Sequence, residues 1–166
     1  MARMETNFSP VARCVVEYRQ GATDYVRLKG VIVRRFQMAT SWPQADAGTL
    51  PDSTVYEVVI CPGPDATAAV ILADHPGAEL DTPHSAFFPD PAGQHDGTFY
   101  FGGPPQLAIL VHEAGHAAID TFVRRGLPIP DGDDDMADAE EAFVHFLGML
   151  VDELASRLIA ERPLPL

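Results

Sequence analysis

Val111-His112-Glu113-Ala114-Gly115-His116-Ala117-Ala118-Ile119-Asp120 carries a His-Glu-x-x-His motif inside the apolar run 106–123. On an α-helix, residues four apart lie one turn apart on the same face. His112 and His116 can therefore offer two imidazole nitrogens to one ion. Zinc takes nitrogen, oxygen or sulfur ligands in a near-tetrahedral set, and a catalytic site leaves one position open for water. The motif predicts a zinc site with Glu113 as the general base that takes a proton from that water.

The surroundings of the motif bear on the same prediction. Within 106–123 the ionisable residues are His112, Glu113, His116 and Asp120. The remaining residues of this run are apolar except for Gln106, Gly115 and Thr121. A helix that is apolar nearly all round is expected to be buried. Burying ionisable groups without partners costs several kcal/mol, roughly, and ligation of imidazoles by a metal removes that cost. A buried helix with hydrogen-bonded histidines is the alternative interpretation.

Composition limits the class of protein. The 166 residues suit a single domain, 1–166. A net charge of −13 argues against nucleic acid and anionic membranes as partners, and it would attract a basic protein substrate. The chain has no charge-free apolar run of about 18 residues and no apolar core of a signal peptide near its start. Cys14 and Cys61 are expected to be buried thiols, which fits a cytoplasmic protein.

Residues 1–62 are predicted to form N-terminal strands. Val11–Tyr18 and Tyr25–Phe36 are interpreted as an antiparallel pair, 37–53 as a loop that holds Trp42, and Thr54–Ile60 as a further strand. The short apolar run Ala68–Ala73 is predicted to be a central strand.

The segment 74–97 is long and rich in proline and glycine. A segment of this kind is either a lid, here over the metal, or a surface loop with solvated histidines. Thr98–Phe101 is predicted to be a short strand, either at the rim of a cleft or in the core. Tyr100 in that strand could polarise a substrate carbonyl through its hydroxyl.

Two long helices are predicted after this strand. The segment 98–125 holds the strand and the motif helix, with Pro104-Pro105 in its first turn and Gly126 at its end. Asp133-Asp134-Asp135 is expected to cap a C-terminal helix within 134–161.

The C-terminal helix is the expected source of a third zinc ligand, because two histidines are not enough for a tight site. Periodicity favours Glu140, which heads an inward-facing row of apolar residues four or three apart, whereas Glu141 heads the solvent-facing or site-facing row His145, Gly148 and Asp152. The residues leave Glu140 and Glu141 as alternatives, with His145 and Asp138 less favoured. Asp120 lies one turn after His116 and is expected to accept a ring N–H from a ligand histidine. The alternatives are that Asp120 is itself the third ligand or only a carboxylate near the end of the helix.

These motifs resemble the minimal gluzincin metallopeptidases, most closely the ImmA/IrrE-type group. The resemblance covers roughly 68–151 and rests on His112-Glu113-x-x-His116 and on a later Glu141-Ala142 and Met149-Leu150. It implies a cytoplasmic zinc peptidase in which a small sheet precedes the motif helix, and it favours Glu141 as the third ligand. Against that group's Glu-Ala-x-x-Phe-Ala-x-x-Leu-Leu pattern, the aromatic residue falls one place late, at Phe146. The motif helix is also similar to that of FtsH-like proteases.

The sequence thus predicts an α+β fold with a small, mostly antiparallel sheet packed on two long helices, as in zincins. The predicted function is hydrolysis of a peptide bond in a protein or peptide substrate, with Zn²⁺ as the cofactor. The alternative is a non-catalytic, zinc-stabilised binding or regulatory module with the same ligands. The sequence does not indicate the substrate or the oligomeric state.

Overall fold

The computed structural model describes residues 15–17, 23–28, 31–41, 53–80, 84–90, 93, 95–130 and 137–159. They form an α+β fold, which confirms the predicted class. The elements in chain order are β1 (Val15–Glu17), β2 (Thr23–Leu28), β3 (Val31–Ser41), β4 (Ser53–Cys61), α1 (Pro64–Asp74), β5 (Ser85–Pro89), β6 (Gly97–Gly102), α2 (Leu107–Arg125) and α3 (Ala137–Ile159).

The six strands form one sheet in the order β1-β2-β3-β4-β6-β5. β2 is antiparallel to both β1 and β3, and Leu28 faces Val31 in the β2–β3 register. The chain therefore reverses between Leu28 and Val31, and the predicted single strand Tyr25–Phe36 is two strands. β6 runs parallel to β4: Asp96 bonds to Val55 near the start of β4, and Gly102 lies against Pro64 just after its end.

The run predicted as a central strand, Ala68–Ala73, is part of helix α1, so that prediction is wrong. Pro64 occupies the first turn, where its fixed φ suits a helix, and Thr67 Oγ1 donates a hydrogen bond of 3.0 Å to the carbonyl of Gly63. Val70 and Ile71 are buried whereas Leu72 is exposed. Alanine favours the helix, and a short apolar run does not by itself distinguish a strand from a buried helix.

The two long helices match their predicted positions closely. α2 begins after Gln106, so the two prolines precede it rather than lie in its first turn. It ends at Gly126, which has a left-handed φ of 64°, and Leu127 N–H donates a bond of 2.9 Å to Phe122 C=O. This is the glycine-capped end that the sequence indicated. The proposed aspartate cap of α3, at 133–135, lies outside the described residues.

The described residues divide into two compact units. The first takes its residues from 1–37, 57–86 and 98–105, and the second from 38–56, 87–97 and 106–166. The first has a core of β-strand and α1 side chains, among them Val33, Val58, Ile71, Phe99 and Phe101. In the second, Phe122 of α2 packs against Phe143 and Phe146 of α3, with ring centroids 5.2 and 5.5 Å apart. Tyr56 of β4 bonds to Thr121 of α2 at 2.6 Å.

Candidate metal centre

Helix α2 places the two motif histidines side by side. His112 and His116 are both exposed, and their rings meet edge to face with centroids 4.7 Å apart. The two Nε2 atoms lie 3.1 Å apart. The i, i+4 spacing is sufficient to produce this convergence, because both side chains leave the same face of one helix.

The separation of the two nitrogens fits a zinc ion. Two nitrogen ligands at about 2.0–2.1 Å from a tetrahedral zinc are about 3.3 Å apart. The observed 3.1 Å is close to that value. His112 and His116 therefore fit two positions of a zinc coordination sphere, and their exposure leaves the remaining positions open to another ligand.

Glu113 differs from the histidines in its burial. Its side chain starts about 100° round the helix from His112 and is buried, as are Ala114 and Ala117. The expectation that α2 is buried all round is wrong, because Leu107, Val111, Ile119 and Val123 are exposed along with the histidines. The burial cost that favoured a metal at the histidines therefore does not apply to them, and only the spacing of their nitrogens supports it.

The two candidates for the third ligand lie on the exposed side of α3. The buried side of that helix is formed by Ala139, Phe146, Leu150 and Leu154. Glu140 and Glu141 are exposed, as are His145 and Val144. The expectation that Glu140 heads an inward-facing row is wrong, because the buried row begins one residue earlier. The side chain of Asp138 lies outside the described residues.

A complete ligand set is not assembled in the described part of the chain. Across residues 15–159, wherever the structure describes them, no three side chains of His, Cys, Asp or Glu come together as a potential metal site. The residues thus fit zinc as a pair of ligands, and the third ligand stays a prediction.

Asp120 is engaged with a neighbour on its own helix. Its Oδ2 accepts a hydrogen bond of 2.6 Å from Arg124 Nε, four residues later. Arg124 also reaches the backbone carbonyl of Asp96, whose carboxylate accepts the amide of Val55 at 2.8 Å. This set of bonds ties the end of α2 to the start of β4. Because the Asp120 carboxylate is bound to Arg124, we expect it to pair with that residue rather than with a ligand histidine.

Tyr100 is buried in the first unit, and its hydroxyl already has partners. The hydroxyl donates to Asp74 Oδ2 at 3.0 Å, and His75 Nε2 lies 3.1 Å from the hydroxyl oxygen of Tyr100. Because the tyrosine proton is used for Asp74, His75 donates to the tyrosine oxygen. Burial and the Asp74 carboxylate raise the pKa of Tyr100 well above its usual value. A hydroxyl held in this way suits a structural role, and we leave Tyr100 out of the proposed catalytic set.

Sequence reasoning missed the network around Tyr100. Asp74 Oδ2 also accepts from Arg35 of β3, and Arg35 bonds to Glu57 of β4 at 3.1 Å. Burial lowers the pKa of Arg35, but Asp74 and Glu57 outweigh it and raise that pKa above its ordinary value. The four elements that supply these side chains are far apart in sequence. The one available signal was alternation along β3 and β4, which could have placed Arg35 and Glu57 on one face.

The histidines of 74–97 do not share one environment. His75 belongs to the Tyr100 network, His95 Nδ1 lies 3.3 Å from Asp90, and His84 is exposed. The segment also contains β5, which was not predicted. The lid hypothesis stays a prediction.

Cys61 is buried, as expected, and burial raises the pKa of its thiol. Cys14 lies outside the described residues.

Comparison with protein-family models, with curated proteins and with solved structures gives no match to this chain. Within the described parts of the chain, none of the helices combines the length and the apolar character that crossing a membrane requires.

Proposed function

We propose that this protein is a zinc-dependent peptidase of the zincin class, related to the minimal gluzincins of the ImmA/IrrE type. The observation that carries the proposal is the 3.1 Å separation of two exposed imidazole nitrogens in a His-Glu-x-x-His helix. Its substrate is a peptide bond in a protein or peptide, and the acidic chain favours a basic one. A cytoplasmic location belongs to the same proposal.

The roles of the residues follow from their chemistry. His112 and His116 would hold the metal through Nε2, with a carboxylate from Glu140 or Glu141 of α3. When bound, a zinc ion would supply a Lewis acid that lowers the pKa of water. Glu113 takes a proton from the attacking water and returns it to the leaving amine nitrogen.

Replacement of Glu113 by Gln tests this proposal. The change keeps the shape of the side chain but removes its basicity, so we expect hydrolysis of a casein or mixed-peptide substrate to fall by about 10² to 10⁴-fold. Zinc content, measured by elemental analysis, should stay at the wild-type value. Asp152→Asn, an exposed change on α3, is the matched control. Equal activity of Glu113→Gln and wild type would rule out this mechanism.

A second candidate is a non-catalytic, zinc-stabilised binding or regulatory module. The observation that favours it is the burial of Glu113, because the side chain proposed as the general base is buried whereas the two histidines are exposed. The same assay separates the two functions. A module would bind zinc and gain stability from it, with no hydrolysis by the wild type or by Glu113→Gln.

A further inference from the structure

The exposed face of α2 carries an apolar row with the histidine pair beside it. Leu107, Val111, Ile119 and Val123 are 64, 42, 47 and 59% exposed. They are spaced four residues apart around Gly115, which lies at the centre of the row. A Cβ at Gly115 would meet no atom within 4 Å, so the surface at this point is open. Rows of residues four apart are the ridges through which helices most often pack on one another.

This row is complementary to itself. If a second copy of α2 crosses the first in the opposite direction at Gly115, Leu107 faces Val123 of the other copy, and Val111 faces Ile119. Two-fold symmetric interfaces need this kind of pairing, in which one patch contacts the same patch. Glycine at the crossing point has no side chain to keep the two backbones apart.

Charge also favours a second copy at this face. The protein has a net charge of −13, so two copies repel one another over most of their surface. From Leu107 to Ile119 the helix has no Lys, Arg or Asp, and its one Glu, Glu113, is buried. Over 107–119 the row therefore offers a face on which two copies of this acidic chain can meet without like charges in contact. Val123 lies beyond that stretch, beside Asp120 and Arg124, which pair with each other.

We propose that two copies of the protein associate through this row and that His112 and His116 of both copies bind one divalent metal ion. Each copy offers two converging nitrogens, and four nitrogen ligands complete the set that zinc prefers. In the dimer the second histidine pair takes the place expected for Glu140 or Glu141. This inference rests on the proposed metal ligation by His112 and His116 but not on hydrolysis. The bridged dimer is a closed form of the site, and hydrolysis belongs to the monomer.

Light scattering after size-exclusion chromatography, with zinc titrated from an EDTA-treated sample, tests the proposal. We expect the 18.0 kDa monomer in EDTA and a dimer with one zinc ion per two chains when zinc is added. Ile119→Asp and Gly115→Gln should each raise the dimer dissociation constant at least tenfold. Val144→Asp is the matched control, because Val144 is a 58% exposed aliphatic residue on α3, outside the row.

Other outcomes would overturn the dimer. The first is a monomer that binds one zinc ion per chain at every protein concentration. The second is a dimer that persists in EDTA and in His112→Ala. The third is loss of the zinc-bridged dimer in the double variant Glu140→Gln/Glu141→Gln. A monomer that binds zinc and loses hydrolysis in Glu113→Gln would leave the proposed function intact. A zinc-bridged dimer with equal activity in wild type and Glu113→Gln would contradict the proposed function and support the dimer.

Discussion

His112 and His116 of the second unit and Tyr100 of the first unit are polar groups in two contrasting settings. The histidines are exposed, and the contact between them comes from one helix. The Tyr100 hydroxyl is buried and joins Asp74 and His75, with Arg35 bound to the same carboxylate. A buried polar group without partners is costly, so the Tyr100 network has to be satisfied by the protein itself.

The contrast separates binding capacity from stability. Nitrogens that face solvent keep their lone pairs available for a ligand, whereas a hydroxyl held by a carboxylate and an imidazole has little capacity left for one. The network instead holds α1 against β3 and β6, because its members come from these elements. We therefore expect substitutions at the histidines to change metal binding with little effect on folding, and substitutions in the network to do the reverse.

The largest expected effect is at His116. Its replacement by Ala removes one of the two converging nitrogens, so zinc affinity measured by calorimetry should fall by about 100-fold or more. Loss of a side chain that only hydrogen-bonds to a ligand costs about 10 to 100-fold. The free energy of unfolding in EDTA should change by no more than about 0.5 kcal/mol, because the ring is exposed. His145→Ala, an exposed histidine on α3, should leave both quantities unchanged. A large loss of stability in EDTA would contradict the claim that the histidines serve metal binding and not folding.

Alkaline pH tests the second unit for a buried hydroxyl of its own. Burial, more than any other cause, raises the pKa of Tyr56 to about 12. The folded state thus holds the proton more tightly than the unfolded chain, whose tyrosine pKa is about 10. The free energy of unfolding should fall by about 3 kcal/mol as pH rises from about 10 to about 12, and the full contribution is present below pH 10 or so. Urea unfolding of wild type and Tyr56→Phe over this range measures the difference, and equal slopes would refute the assignment.

Tyr100→Phe separates a structural from a catalytic tyrosine. The change removes the hydroxyl that bonds to Asp74 and His75, so the free energy of unfolding should fall by about 1 kcal/mol. If the hydroxyl stabilised a substrate oxyanion, its loss would reduce kcat by about 10² to 10³-fold. We expect kcat to change less than about twofold. Denaturant unfolding and peptide hydrolysis measured on one preparation distinguish these outcomes.

The parts of the fold that depend on local sequence could be predicted. The end of α2 follows from Gly126, the span of α3 follows from the helical spacing of its apolar residues, and the convergence of the histidine pair follows from helical spacing alone. The run Ala68–Ala73 was misassigned, because a short apolar segment has no period and the helix signal lay in Pro64 and Asp65 before it.

What depends on tertiary structure could not be predicted. The sheet order determines that Arg35 and Glu57 lie together, and no spacing within the sequence encodes that order. The exposed side of α2 was missed for a related reason. An apolar composition indicates that a helix can be buried, but the elements that pack on it decide which faces are covered, so Leu107 and Val123 remain exposed.

The smallest expected effect is at Asp120, and it tests how far the metal site extends beyond the histidines. If Asp120 accepted a ring N–H from a ligand histidine, its replacement by Asn would cost about 10 to 100-fold in metal affinity. Its bond to Arg124 is an i, i+4 pair near the helix end, worth about 0.3–0.5 kcal/mol. We expect Asp120→Asn to alter zinc affinity by less than about twofold and stability by less than about 0.5 kcal/mol. Arg124→Gln breaks the same ion pair but keeps the carboxylate. A loss of zinc affinity in Asp120→Asn alone would therefore indicate that Asp120 accepts a ring N–H from a ligand histidine, and it would extend the site along α2.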